Sequence, residues 1–526
     1  MAVYASAAAT ICGKPLGLAR ALGGALVGLD YHPISVEVCC TRGPSFFQLV
    51  GLAEAAVREA RVRVASALAR LGVLLDEYAI TVNLAPAELR KSGAALDVAM
   101  AIGVLGAIGK LPLEGFGDTL LLGELSLSGE IQAVRGVLPQ LEGARARGTI
   151  AAIVPVANAA EAGLVEGIRV HVADRLDELV AHLRGERRLK TTGRTAFAPS
   201  LPWSHFDMQD VRGQATARRA LEIAAAGGHN LLFIGPPGSG KTMLARLLPA
   251  ILPPLEFEEA IEVTAIHSVA GLVDAHKGIV NARPFRAPHH SVSEAGLVGG
   301  GEMPRPGEVT LAHGGVLFLD EIAEFKRSVL EALRQPLEDG YVCIARARAR
   351  AMFPARPVVV GAANPCPCGY RGHPTRGCRC SDASRQRYRE RLSGPLIDRL
   401  DVHAAVPPVE IVQLTSAAQG ESTAVVRERV AMARRSQLRR REAGETAVAV
   451  NAQLGPSEIQ RVAPLDPDGR RLIEAAANQI GLSARGFLKV LRVARTIADL
   501  EGSPRVRAPH VAEAIQGRLL DRESVP

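Results

Sequence analysis

Aromatic residues are scarce in this sequence: Phe, Trp and Tyr together make up 4% of its 526 residues, with a single tryptophan. Recognition of a nucleic-acid strand by stacking its bases on rings therefore has few side chains to work with. Long apolar runs are missing too. The longest, Val98 to Gly109, falls short of the roughly 20 residues that a membrane-spanning helix needs, so no membrane partner is expected. The opening residues, MAVYASAAATICGKPLG, have no basic stretch ahead of an apolar core, and the simplest expectation is a cytoplasmic protein. Eight cysteines in so long a chain, without an export signal, argue against a disulfide framework and leave reduced thiols or metal ligands.

What is present is the composition of a soluble globular protein, 48% hydrophobic and 22% charged. The length exceeds what a single core sustains and suggests several domains. Basic residues outnumber acidic ones by eight, a net charge that permits an acidic partner such as nucleic acid without requiring one.

Residues 1–190 read as mixed α/β, with an Ala-rich helical stretch from Leu52 to Leu71, a strand from Tyr78 to Leu84 and an apolar helix from Ala94 onward. Between Gly185 and His205 the apolar periodicity disappears and Pro, Gly, Thr and charge replace it, the marks of a linker. From 205 to 410, short apolar strands (Asn230 to Ile234, Val316 to Leu319, Val358 to Val360) alternate with helical segments, the pattern of a parallel sheet with crossover helices. Residues 411–526 read as mostly helical. There Ser483 is placed to cap a helix whose apolar residues Phe487, Leu488, Leu491, Ala494, Ile497 and Ala498 recur at helical spacing before Gly502.

The segment LLFIGPPGSGKTMLARLL sets Gly235, Pro236, Pro237, Gly238, Ser239, Gly240, Lys241 and Thr242 between an apolar strand and an amphipathic helix. This is the spacing of a phosphate-binding loop. Its backbone N–H groups and the helix N-terminus face the phosphates, Lys241 reaches the β- and γ-phosphates, and Thr242 holds Mg2+, which makes ATP and Mg2+ the expected ligands. Some eighty residues on, GGVLFLDE ends a four-residue apolar strand at Asp320 and Glu321. Asp320 is suited to supporting the metal and Glu321 to activating water; the plain alternative is an exposed carboxylate pair at a strand end. A further strand, Pro357 to Ala363, ends at Asn364, suitably placed to polarise that water, although Asn also commonly starts a turn. Arg399 in LSGPLIDRLDVH and Arg485 in SARGFLKVLRVAR are candidates for stabilising charge on the γ-phosphate, or simply surface arginines.

Two other clusters stand out. In YVCIARARARAMFPAR, Arg346, Arg348 and Arg350 alternate with alanines, so one continuous strand would put all three on one face, toward DNA phosphates or toward solvent as charges protecting an edge strand. Cys366, Cys368, Cys378 and Cys380 form two Cys-x-Cys pairs within a loop that also carries His373. They suit structural zinc or, alternatively, are reduced thiols in a turn rich in Gly and Pro; with four protein ligands such a metal has no open position. Cys12, Cys39, Cys40 and Cys343 read as ordinary residues, and His289 and His290 as turn or packing residues or as ligands.

The stretches DVRGQATARRALEIAAAGGHNLLFIGPPGSGKTMLARLLPAILPPL, RPFRAPHHSVSEAGLVGGG, RPGEVTLAHGGVLFLDEIAEF and ANPCPCGYRGHPTRGCRC resemble the YifB/ComM family of magnesium-chelatase-like AAA+ ATPases over essentially the whole chain. That resemblance implies an α/β protein made of a Lon-protease-like N-terminal domain (1–190), an AAA+ core (205–410) and a helical lid (411–526). It implies a homo-hexameric motor that moves on single-stranded or branched DNA and promotes branch migration during natural transformation. Arg399 then resembles the arginine finger, Arg485 the second sensor, and Val211, Gly213 and Gln214 the segment beside the adenine. An insertion at about Thr264 to Gly301 and the arginine hairpin would project toward the ring pore. Matching KSGAALD and GEIQAVRGVLPQ to the Lon protease puts Ala95 where its serine belongs and Leu138 where its lysine belongs. Without nucleophile and base, acyl chemistry has no route, although Ser92, Ser126 and Ser128 remain nearby. The rivals are a chelatase-type ATPase subunit that remodels a metal-insertion partner and an ATP-dependent protease.

Overall fold

The computed structural model describes residues 15–51, 55–91, 93–112, 117–202, 206–346, 349–391, 398–409 and 420–518. In the N-terminal part, a Leu-, Gly- and Ala-rich strand, Pro15–Val27, and a strand with several β-branched residues, Asp30–Arg42, pair antiparallel at the centre of an eight-stranded mixed sheet. Ile34, Val36, Val38 and Cys40 alternate with more exposed neighbours, so one face of that strand is buried. Tyr78–Ala85 and Phe46–Val50 extend the sheet on one side. Thr119–Leu121, Ala151–Pro155 and Arg169–Ala173 add parallel strands on the other. The apolar run from Val98 forms the helix Asp97–Ala107, buried on nearly every side among the sheet and the helix Ala55–Arg70. Among the described residues no helix is long and apolar enough to cross a membrane. The stretch read as a linker is not wholly one: Lys190–Thr191 pairs antiparallel with Arg169–Ala173 as the sheet's last strand.

The central sheet has five parallel strands in the order Phe285–Arg286, Val316–Leu319, Val358–Ala363, Leu231–Ile234, Val402–Ala405. Both faces are covered, as the apolar composition of these strands demands. Leu231 and Phe233 pack with the C-terminal helices Thr423–Glu442 and Ala484–Leu500 through Val426, Val430, Val490 and Ile497. Leu232, Leu317 and Val359 face the other way, onto Leu330, Leu333 and the hairpin residues Val342 and Phe353. In the last long helix Ser483 Oγ accepts from Gly486 N at 3.1 Å, which fixes the N-terminus. One expectation about the middle of the chain needs correction. Thr264 lies inside the helix Phe257–Ala270, and Phe285–Arg286 is an edge strand of the central sheet, so the segment Thr264 to Gly301 does not leave the core as one insertion.

The N-terminal part docks on the central one through Leu138. This fully buried leucine, on the helix Val137–Ala146, packs with Leu255, Ala260 and Val263. Polar contacts reinforce the apolar one: Glu161 accepts from Leu138 N at 2.9 Å and from the Ser268 hydroxyl, and Gly136 N donates to Ser268 O at 3.2 Å.

Candidate nucleotide site

Parallel strands that leave a sheet at one edge bring their following residues together, and ligands bind there. Ile234 pairs with Ala363 on one side and Ala405 on the other, so Gly235, Asn364 and Val406 emerge side by side. Asp320 follows the neighbouring strand that ends at Leu319. Gly235 permits the first close approach: a Cβ there would lie 2.1 Å from Val406 O. The helix Lys241–Ile251 starts directly after Gly240, which has φ 93°.

Lys241 Nζ donates to Gly235 O (2.7 Å), Pro236 O (2.9 Å) and Asn364 Oδ1 (3.2 Å). Burial pulls this ammonium below the usual lysine pKa, opposed by the charges of Asp320 and Glu321. Thr242 Oγ1 donates to Asp320 Oδ2 at 2.8 Å, and Glu321 N donates to Asp320 Oδ1 at 3.0 Å. A hydroxyl and a carboxylate are oxygen donors of the kind a hard divalent cation prefers. Ser239 Oγ, buried within the loop, has no hydrogen-bond partner among the described residues, which suits a loop built to surround an acceptor-rich anion.

Backbone strain points to the same place. Among the described residues only Gln214 (φ 54°) and Glu321 (φ 49°) are non-glycines with positive φ. Gln214 Nε2 donates to Pro407 O at 2.6 Å and Ser239 O at 3.3 Å, which ties the segment of buried Val211 and exposed Gly213 to the phosphate loop. Each strained residue thus sits against the loop or the acidic strand end.

The two arginines do not join this cluster. Arg399 pairs with Glu338, and Arg485 Nη1 lies 3.4 Å from the same carboxylate oxygen. Both line a polar cleft with Arg283, Arg356, Arg434 and Arg492, and none of the phosphate-loop residues lines it. A buried charge network holds the helix Ala484–Leu500 beneath them. Lys489 Nζ lies 2.8 Å from Asp401 Oδ1, and Asp401 Oδ2 accepts from Asn230 N at 2.9 Å. Burial opposes ionisation of Asp401, but Lys489 and His229 outweigh it and hold the carboxyl below the ordinary aspartate range. Glu338 and the Lys489–Asp401 pair carry no motif and are invisible in the sequence. Tyr388 is another such residue: buried on the helix Asp382–Arg391, it receives a hydrogen bond from the backbone of Asn364, and burial pushes its phenol up to about 12.

The arginine hairpin is arranged differently from its sequence pattern. Tyr341–Arg346 and Ala349–Pro354 pair antiparallel, with Ala345 opposite Arg350 and Arg346 opposite Ala349. The chain reverses in the middle of the alternation, so Arg346 and Arg350 occupy adjacent rungs of two strands, and the continuous strand that would have aligned all three does not exist. Arg348 lies outside the described residues. Arg350 is exposed, and its Nε donates to Cys343 Sγ at 3.4 Å.

The cysteine loop does gather. The sulfurs of Cys366, Cys368, Cys378 and Cys380 all lie within 4.8 Å of one another. His373 is not among them; its Nδ1 accepts from Thr375 N and Arg376 N in its own turn. Cys39, Cys40 and Cys343 are free thiols on strands, and Cys12 lies outside the described residues. His289 Nδ1 contacts Ser291 Oγ at 2.9 Å, and its ring lies 4.0 Å from that of His290.

In the N-terminal part, Ala95 O accepts from Gly123 N, and Leu138 is the docking residue described above. Ser126 Oγ and Ser128 Oγ bond to each other at 2.8 Å in an exposed turn, and Ser92 lies outside the described residues. Asp97, the aspartate of KSGAALD, is taken up by Arg63 Nε at 2.6 Å and Leu125 N at 3.2 Å.

A five-stranded parallel sheet with a phosphate loop on an inner strand, an Asp-Glu pair on the next strand but one and an Asn between them defines an AAA+-class P-loop protein. Comparison with known proteins makes this specific. The family pattern of magnesium chelatase, subunit ChlI, matches residues 207–414; a further ChlI pattern matches 36–158, and the ChlI C-terminal pattern matches 420–518. The chain is 42% identical to competence protein ComM of Haemophilus influenzae over 515 residues, covering 96% of this chain and 98% of that one. It is 42% identical to YifB of Salmonella typhimurium over 501 residues, covering 95% and 96%. Similarity to Lon protease 2 of Bacillus subtilis, 32% identical over 145 residues, covers 26% of this chain and 25% of that one. The chain belongs to the YifB/ComM family of magnesium-chelatase-like AAA+ proteins.

Proposed function

We propose that this chain is a cytoplasmic ATPase that works as a homo-hexameric ring and couples hydrolysis to branch migration of DNA, serving the integration of incoming strands. The observation that carries the hydrolytic part is the convergence of Lys241, Thr242, Asp320, Glu321 and Asn364 on one sheet edge. In this reading residues 1–190, 205–410 and 411–526 act as scaffold, motor and lid.

ATP binds with its phosphates in the loop Gly235 to Thr242, on the backbone N–H groups of its non-proline residues, with Val211, Gly213 and Gln214 beside the adenine. Lys241 exchanges its carbonyl partners for phosphate oxygens. Thr242 and Asp320 hold Mg2+, which neutralises charge on the β- and γ-phosphates when bound. Glu321 orients and deprotonates the attacking water, and Asn364 polarises it. Arg399 and Arg485 lie together in a different cleft from the phosphate loop, and this supports Arg399 acting as an arginine finger on the nucleotide of a neighbouring subunit, with Arg485 beside it as the second sensor of the helical lid.

The DNA part rests on the 42% identity with a competence protein and on the net charge of +8. The second reading, an ATPase subunit acting on a metal-insertion partner, is favoured by the family's own description. A three- or four-strand synthetic junction separates the two. Strand exchange is expected with ATP and absent both without it and with Lys241→Ala. ATP turnover that ignores DNA, with no strand product, would overturn the DNA reading.

A further inference from the structure

The segment from Cys366 to Cys380 holds no helix or strand, and within it only Cys366 and Gly369 are buried. A loop of this length with so little apolar surface needs another source of order. The sulfurs supply the geometry for one. Cys366 Sγ lies 3.4 Å from Cys368 Sγ and 3.7 Å from Cys378 Sγ, and Cys368 and Cys378 are 3.7 Å apart. Four sulfurs arranged tetrahedrally at about 2.3 Å from a zinc ion are about 3.8 Å from one another. A disulfide would require about 2.05 Å. Backbone N–H groups of Tyr370 and Arg379 also point at Cys368, the outer-shell contacts that stabilise a metal-bound thiolate.

The loop is also fastened to the nucleotide site at three points. Asn364, the partner of Lys241, stands two residues before Cys366. The backbone of Gly369 lies so close to the phosphate loop that a Cβ would be 2.5 Å from Pro237 Cδ. After Cys380 the chain enters the helix Asp382–Arg391, whose Tyr388 is hydrogen-bonded to the backbone of Asn364.

We infer that Cys366, Cys368, Cys378 and Cys380 bind one soft divalent cation, zinc by ligand chemistry, which clamps this loop against the phosphate loop and holds Asn364 in register with Lys241. Four protein ligands fill a tetrahedral ion, so its role is structural, and the cysteines act as positioning residues. The effect on turnover rests on the ATPase reading; the binding of metal does not.

The test uses the full chain purified without chelator from zinc-supplemented cells. About one zinc per chain is expected, and Co2+ exchanged into the site should give the charge-transfer spectrum of a tetrahedral thiolate complex. Cys378→Ser/Cys380→Ser should lose the zinc. Its ATP turnover should fall about 10-fold or more while its nucleotide affinity stays unchanged. Wild-type protein without zinc and without the cobalt spectrum, or a double variant that keeps its zinc, would overturn the metal site. Zinc present but turnover unchanged on its loss would overturn the clamp. Failure of the ATPase reading looks different: wild-type protein that binds zinc and hydrolyses no ATP.

Discussion

The AAA+ core and the N-terminal part treat their chemically suggestive positions in opposite ways. At the core's strand ends, Lys241 bonds to Asn364 and Thr242 to Asp320 around the phosphate loop, with strain stored at Gln214 and Glu321. In the N-terminal part, the resemblance to Lon protease puts Ala95 and Leu138 where a nucleophile and base are expected, and the second of these is buried in the joint between the two parts. Asp97, nearby in sequence, is consumed by a salt bridge to Arg63. The contrast separates a region whose polar side chains converge at strand ends from one in which the corresponding side chains are apolar or already paired.

The sharpest way to break that contrast is at Glu321. Glu321→Gln keeps the size of the side chain and the demand for positive φ but removes the base. ATP turnover should fall by about 10²- to 10⁴-fold with nucleotide binding retained. Hydrolysis at the wild-type rate would mean that the polar cluster is no more a working site than the N-terminal serines are.

Next in size is the charge network under the helix Ala484–Leu500. Lys489→Met strands the buried Asp401 carboxylate and should cost about 3–5 kcal/mol in denaturant unfolding at neutral pH. The pH dependence follows from the sign of the shift. Asp401 has its folded pKa depressed, so its contribution is fully present above the ordinary aspartate value of about 3.9 and is lost as pH falls below it. The difference between wild type and Lys489→Met should therefore narrow in acid. A gap that widened there would remove Asp401 as its source.

The N-terminal side of the comparison is tested at Leu138. Leu138→Ala should destabilise the joint by about 2–5 kcal/mol, measured by unfolding, and leave the isolated ATP chemistry in place. Ala95→Ser/Leu138→Lys writes the protease residues back into the sequence; casein should remain uncut, because the lysine would enter an apolar cluster with Leu255 and Val263. Cleavage by this variant would show that the N-terminal part is a dormant enzyme and not a scaffold.

How much of this was legible in the sequence depended on distance along the chain. The phosphate loop and the Asp320–Glu321 strand end are contiguous motifs, and Ser483 precedes the helix it caps by one residue, so local spacing carried them. Glu338 meets Arg399 and Arg485 across folds of the chain that no motif spans, and the same holds for Lys489 with Asp401. Phe285–Arg286 is too short for any periodicity to reveal a strand. The hairpin misled for a different reason. Its reversal falls in an Arg/Ala alternation that has no Gly, Pro or Asn to mark a turn, so the pattern of one long strand continued straight through it.

That hairpin supplies the smallest effect and the finest test. Its base is core: Val342 faces Phe353 and Ile344 faces Ala351, all four buried. At the next rung, Ala345 with Arg350, Arg350 is exposed. If DNA phosphates meet the hairpin there, Arg350→Glu should weaken binding regardless of base sequence and lower the slope of log affinity against log salt by about 1. ATP turnover without DNA should not change, since Arg350 belongs to a two-stranded hairpin separate from the central sheet. A salt slope that stayed the same would shift DNA contact away from the hairpin and return Arg350 to the role of a charge that guards an exposed edge.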